Sequence, residues 1–125
     1  MIPQFRSDLD VTQMDGQNWK LFSPLIYESA EPLGEIIVPA GFVTDFASTP
    51  RIVWTFMPKS GEYDAAAVVH DYLYKSGGKI GLKSYIKADA DKIFDEALKL
   101  LGTKQPVRGI MYAMVKAFGK GSFTQ

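Results

Sequence analysis

Two short stretches of this chain place chemically versatile side chains among large apolar residues. DFASTPRIVW contains Asp45, Ser48 and Arg51. AAAVVHDYLY contains Asp71 and the chain's single histidine, His70. A carboxylate can orient an imidazole as general base, while a guanidinium holds an anionic or carbonyl oxygen. Polar groups in such runs either line a site of this kind or satisfy one another as a buried scaffold, because burial without a partner is costly.

A third unusual carboxylate lies further along the chain, at Asp91. Helical steps from Asp91 reach Phe94 and Leu98, so this residue begins the apolar stripe of a predicted helix. One interpretation is a first-turn aspartate that accepts backbone N–H groups and is favoured there by the helix dipole. The other is that Asp91 faces His70 or Arg51 across the helix packing.

These residues fit more than one kind of chemistry. One histidine with three carboxylates is a hard, oxygen-rich set that suits Mg²⁺ or Mn²⁺ better than zinc. A triad of Ser48, His70 and an aspartate is an alternative. It is disfavoured because no nucleophile-elbow glycines flank Ser48, and a serine just before Pro50 is typical of a helix N-cap. The candidate catalytic residues are Asp45, Ser48, Arg51, His70, Asp71 and Asp91, and the candidate metal ligands are Asp45, His70, Asp71 and Asp91.

The bulk composition narrows the class of protein. A chain of 125 residues with 46% hydrophobic residues is long and apolar enough for one globular domain, which we place at 1–125. Fourteen basic and fourteen acidic residues cancel, so there is no strong nucleic-acid signal. Cysteine is absent, which excludes disulfides and thiolate zinc sites. No apolar run approaches a membrane span and MIPQFRSDLD does not resemble a signal peptide, so no membrane role is expected.

The order of the elements predicts an α+β fold. Short extended runs broken by Pro and Gly predict strands at about 18–45, and helical patterns follow at about 49–57, 62–75, 88–101 and 106–118. We therefore expect a small antiparallel N-terminal sheet packed on three to four C-terminal helices. GGKIG lacks the strand–turn–helix context of a phosphate loop and is interpreted as a flexible connection.

Three segments together resemble a known family. VPAGFVTDFASTPR, AAAVVHDYLY and KADADKIFDEAL are similar to the signature blocks of the domain-of-unknown-function family 1353, which is common in tailed phages and prophages. The matching positions are Pro39, Gly41, Phe42, Thr44 to Ser48, Pro50, Arg51, Ala66, His70, Asp71, Leu73, Tyr74, Ala90, Asp91 and Phe94. Lys87 stands where the family often has arginine, so this chain keeps the charge and loses the two-pronged guanidinium.

The resemblance implies a phage or prophage origin and groups the six candidate residues into one cluster. Two hypotheses follow. The first is a small phage-encoded hydrolase in which Asp45 or Asp91 orients His70 as general base and Arg51 holds an oxygen. The second is a virion structural or assembly protein, such as a tail or baseplate component, in which the cluster is a buried scaffold and other virion proteins are the partners. The expected location is the host cytoplasm or the virion, and we expect the cluster to be partly open to solvent.

Overall fold

The computed structural model describes residues 2–15, 18–44 and 64–118. The strands are β1 (Gln4–Phe5), β2 (Val11–Asp15), β3 (Asn18–Leu21), β4 (Leu25–Ala30), β5 (Leu33–Val38), β6 (Val43–Thr44), β7 (Lys79–Ile80) and β8 (Lys83–Ser84). The helices are α1 (Asp64–Lys75), α2 (Lys87–Leu100) and α3 (Val107–Phe118).

The N-terminal strands form two three-stranded antiparallel sheets, ordered β1-β4-β5 and β2-β3-β6. Strands β4 and β5 make the longest pairing, with Tyr27 opposite Ile36 and Ser29 opposite Gly34. Their residues alternate strictly between buried and more accessible positions. This alternation fixes the register, because a slip of one residue would turn the buried face outward.

The three helices pack in chain order, α1 against α2 and α2 against α3. Helix α1 is buried over most of its surface, which agrees with its run of alanine, valine and leucine. In α2, buried Ala90, Ile93, Ala97 and Leu98 recur at helical spacing and face the core. No helix in the part of the chain that the structure describes is long and apolar enough to cross a membrane.

The predicted α+β class is confirmed, with two N-terminal sheets where one was expected and with three helices in the described ranges. The last three predicted helices begin and end within two residues of the observed ones. The helix predicted at about 49–57, with its cap at Ser48 or Thr49, lies outside the described residues. Strands β1 and β2 were not predicted, because the first fifteen residues do not alternate clearly between apolar and polar side chains.

The segment interpreted as a flexible connection, residues 77–81, instead contains β7, which forms a hairpin with β8 just after it. Gly78 in this segment serves tight packing. Gly78 has φ +78°, and a Cβ atom there would lie 1.8 Å from the backbone oxygen of Tyr85. The Tyr85 N–H also donates to the Gly78 oxygen at 2.7 Å, which closes the hairpin. Gly78 therefore lets the chain return against its own backbone shortly after the end of α1 at Lys75.

Candidate functional site

Two pairs of side chains, each one helical turn apart, meet between α1 and α2. His70 and Tyr74 lie on one face of α1, and Lys87 and Asp91 lie on one face of the first turns of α2. Residues four apart on a helix project the same way. Packing α1 on α2 therefore brings all four together, and we call them the Asp91 network.

Asp91 is the centre of this network because its carboxylate accepts three hydrogen bonds. His70 Nε2 and Tyr74 OH both contact Oδ1, at 2.8 Å and 2.5 Å. Lys87 Nζ donates to Oδ2 at 2.8 Å. The Lys87 ammonium also donates to two backbone oxygens near the end of α3, those of Val115 at 3.3 Å and Lys116 at 3.1 Å. A single carboxylate thus connects α1 and α2 directly, and α3 through Lys87.

The three donors keep Asp91 ionised although its side chain is only 1% exposed. Burial by itself would raise the pKa of Asp91, but the hydrogen bonds from His70, Lys87 and Tyr74 outweigh burial and hold the pKa below its usual value. An ionised carboxylate only accepts hydrogen bonds, so the proton of the 2.8 Å contact lies on His70 Nε2.

His70 is fully buried, and its ring packs beside the rings of Tyr74 and Phe94 with centroids 4.2 Å and 4.8 Å away. Burial lowers the pKa of His70 and outweighs the opposing hydrogen bond and charge of Asp91. The imidazole is therefore neutral near pH 7. With its proton on Nε2, Nδ1 is the basic nitrogen.

A second buried carboxylate, Asp71, points to a different element. Asp71 accepts a hydrogen bond of 2.6 Å from Thr44 Oγ1 at the end of β6, and both residues are fully buried. Lys75, one turn on, approaches the same carboxylate at 3.5 Å. Adjacent residues on a helix point about 100° apart. The sheet-facing Asp71 and the α2-facing His70 therefore contact different partners.

The structure brings together His70 and Asp91, as the second interpretation of Asp91 expected. It places Asp71 beside Thr44. Asp45, Ser48 and Arg51 lie outside the described residues, so their predicted contact with His70 stays a prediction. The expectation of a partly open cluster is wrong for the described members, because His70 and Asp71 are 0% exposed and Asp91 is 1% exposed.

The magnesium or manganese site also stays a prediction, because Asp45 belongs to the proposed ligand set. Among residues 2–15, 18–44 and 64–118, no group of three or more His, Asp or Glu side chains is placed to hold a metal ion. His70 and Asp91 bond to each other, and Asp91 already accepts from two further donors. These three donors occupy three of the roughly four acceptor positions of the Asp91 carboxylate.

Thr44, Lys75 and Lys87 join the candidate residues although the sequence did not single them out as site members. Features of the sequence could have identified Thr44 and Lys87. Thr44 lies inside the TDFAS block, and Lys87 occupies a position where the family often has arginine. Lys75 follows Asp71 by four residues, a spacing that favours ion pairs on a helix.

Glu96 is a further polar residue whose role the pattern did not indicate. It belongs to the polar stripe of α2, yet its carboxylate accepts from Tyr27 OH at 2.5 Å and from the backbone N–H groups of Ala30 and Glu31 at 3.2 Å and 3.0 Å. Glu96 therefore joins α2 to the turn between β4 and β5. This contact forms one wall of an open groove of about 450 Å³, lined by Glu31, Pro32, Asp89, Lys92, Asp95, Glu96, Lys99 and Tyr112.

Comparison with known proteins agrees with the resemblance seen in the sequence. Neither the curated proteins nor the solved structures searched include a match to the chain. A family model described as "Protein of unknown function (DUF1353)" matches residues 19–115, a range that contains β4–β8, α1, α2 and most of β3 and α3. Because this match covers well over half of the sequence, the chain belongs to that family.

Proposed function

We propose that this chain is a phage-encoded structural or assembly protein in which the Asp91 network is a buried scaffold. The observation that carries this proposal is the coordination of one fully buried carboxylate by donors from α1 and α2, with Lys87 continuing to α3. Such an arrangement fixes how three helices dock. The phage origin and the virion partners rest on the family resemblance.

The burial of the network favours this scaffold role over catalysis. A general base must come within hydrogen-bond reach of the proton that it removes from a substrate. His70 and Tyr74 are 0% exposed, and each directs a polar atom to Asp91 rather than to solvent. Buried polar networks can specify one packing arrangement with little net gain in stability.

The direct test is the composition of purified particles. A phage that carries this gene is grown, its particles are purified through a density gradient, and the chain is quantified by mass spectrometry against the major capsid protein. The expected result is a fixed copy number per particle, with defective particles when the gene is deleted. Finding the chain only in the soluble lysate, with normal particles from the deletion, would refute an assembly role.

A small hydrolase is the second candidate, and the state of His70 is the observation that favours it. Asp91 holds Nε2–H, and the lowered pKa leaves a neutral imidazole at physiological pH. These are the properties of a general base. Asp45, Ser48 and Arg51 follow Thr44 within seven residues, and Thr44 contacts the neighbouring Asp71.

A substitution at His70 separates the two candidates. In the hydrolase, His70→Asn abolishes turnover of a panel of ester and phosphodiester substrates while the far-ultraviolet circular dichroism spectrum stays unchanged. In the scaffold, the parent shows no turnover and the variant is clearly less stable. Turnover by the parent that disappears in a stable His70→Asn variant would overturn the scaffold proposal.

A further inference from the structure

Two buried hydroxyl groups flank a glycine on the inner face of the β4–β5 sheet. Ser29 is 0% exposed and Tyr85 is 5% exposed. Within the described ranges, neither Ser29 Oγ nor Tyr85 OH has a hydrogen-bond partner. A buried hydroxyl without a partner is costly, so two in one place indicate a site for a molecule that can bond to both.

The two hydroxyls belong to the same location because both lie next to Gly34. Ser29 pairs with Gly34 across the sheet, and both are buried on the inner face. A Cβ atom on Gly34 would lie 2.1 Å from Tyr85 OH, so the phenol occupies the space that a side chain would take. Cross-strand Cβ positions are separated by roughly 5 Å. Ser29 Oγ is bonded to one of these Cβ atoms and Tyr85 OH lies 2.1 Å from the other position, so the two hydroxyls lie in the same small region.

The surrounding groups limit what the occupant can be. Lys83 Nζ lies close to the same point, 3.0 Å from the Gly34 Cβ position, and donates to the Leu33 oxygen at 3.1 Å. Among the three atoms nearest to that Cβ position, the Lys83 ammonium is the only charged group. A water molecule can both accept from and donate to hydroxyls, so it can satisfy both without adding charge.

We propose that Ser29 Oγ and Tyr85 OH hold one internal water molecule over Gly34. The water lies where the hairpin of β7 and β8 rests on the sheet, because Tyr85 directly follows β8 and its backbone is held by Gly78. The water joins this hairpin to the β4–β5 sheet in addition to the direct hydrogen bond from Lys83 to the Leu33 oxygen.

Direct observation is the first arm of the test. A high-resolution crystal structure, together with water–protein Overhauser effects in solution, should show a long-lived water within hydrogen-bond distance of both hydroxyls. A direct Ser29–Tyr85 hydrogen bond without water would overturn the proposal. So would a dry contact in which each hydroxyl bonds elsewhere.

Thermodynamic coupling is the second arm. Ser29→Ala and Tyr85→Phe should each raise the unfolding equilibrium constant several-fold, and the double variant should raise it by clearly less than the product of the two, because either change alone removes the bridge. Thr103 provides the control, because its hydroxyl is also buried without a partner but lies after α2. Thr103→Val combined with Tyr85→Phe should give the full product. If the Ser29/Tyr85 double variant also gave the full product of its two single effects, as the Thr103/Tyr85 pair should, the shared water would be refuted.

Discussion

Replacing Asp91 with asparagine tests the scaffold directly, because asparagine keeps the size of the side chain and removes its charge. The amide oxygen can still accept from His70 or Tyr74. The amide nitrogen, however, turns a donor toward the Lys87 ammonium, which now contacts Asp91 Oδ2 at 2.8 Å. The change therefore breaks the charged contact and weakens the other two.

The expected loss of stability depends on the contacts that Lys87 keeps in the Asp91→Asn variant. Removing one partner of a buried ion pair costs about 3–5 kcal/mol. The Lys87 side chain is 20% exposed and keeps two backbone oxygens as acceptors, so the loss should lie near or below the lower end of that range. A hydrogen bond to a charged group contributes about 1.5–3 kcal/mol. We expect Asp91→Asn to lower the free energy of unfolding by about 2–3 kcal/mol, which is a fall in Tm of about 10 °C for a domain of this size.

Urea denaturation followed by circular dichroism measures the free energy of unfolding of the parent and of Asp91→Asn. An unchanged denaturant slope is the evidence that the fold is retained. Asp95→Asn is the matched control, because it makes the same substitution on the same helix at an ion pair with Arg108 that is 32% exposed on the aspartate side. That surface pair should contribute at most about 1 kcal/mol. A loss at Asp91 no larger than the loss at Asp95 would refute the scaffold reasoning.

Three further changes test neighbouring parts of the structure. The pKa of His70 is lowered from 6.5 in the folded chain, so as the pH falls the unfolded chain binds a proton at His70 before the folded chain does. The free energy of unfolding should therefore be full above pH 6.5 and fall below it by at most about 1.4 kcal/mol per pH unit. Urea midpoints of the His70→Gln variant should lack this fall. Tyr27→Phe and Glu96→Gln should each destabilise, with a double-mutant coupling of about 1–2 kcal/mol, and additive losses would contradict the observed contact. Lys87 Nζ caps the end of α3 by donating to its backbone oxygens, so Lys87→Met should speed amide hydrogen exchange at the end of α3 more than in α1. An equal change of exchange rate in both helices would contradict this capping role.

The sequence predicted the helical half of the fold well because its signals there are local. In α2, the apolar residues recur at helical spacing over fourteen positions and glycine follows the end of the helix. The strands were less predictable. The alternation in β4 includes Ser29 as a buried residue, and β1 has only two residues, so its pairing with β4 depends on contacts more than twenty residues away.

The candidate site was predictable where the sequence places a charged group at a position whose burial would be costly without a partner. Asp91 interrupts an apolar stripe, and a carboxylate in that position needs a partner, which proved to be His70. Glu96 gave no such signal because it lies in an ordinary polar stripe, where a solvated side chain is the usual outcome. Its contact with Tyr27 depends on how the sheet docks on the helix, and no local pattern contains that information.

Helix α2 emerges as the element that organises the described part of the molecule. Near its N-terminal end, Asp91 contacts α1 and Lys87 reaches the end of α3. Further along, Asp95 binds Arg108 of α3 and Glu96 binds the β4–β5 turn. Each of these carboxylates contacts a different element, so α2 fixes its neighbours by polar contacts as well as by its apolar stripe. A helix with this many specified contacts is held in one position relative to its neighbours, which is the property that the proposed scaffold role requires.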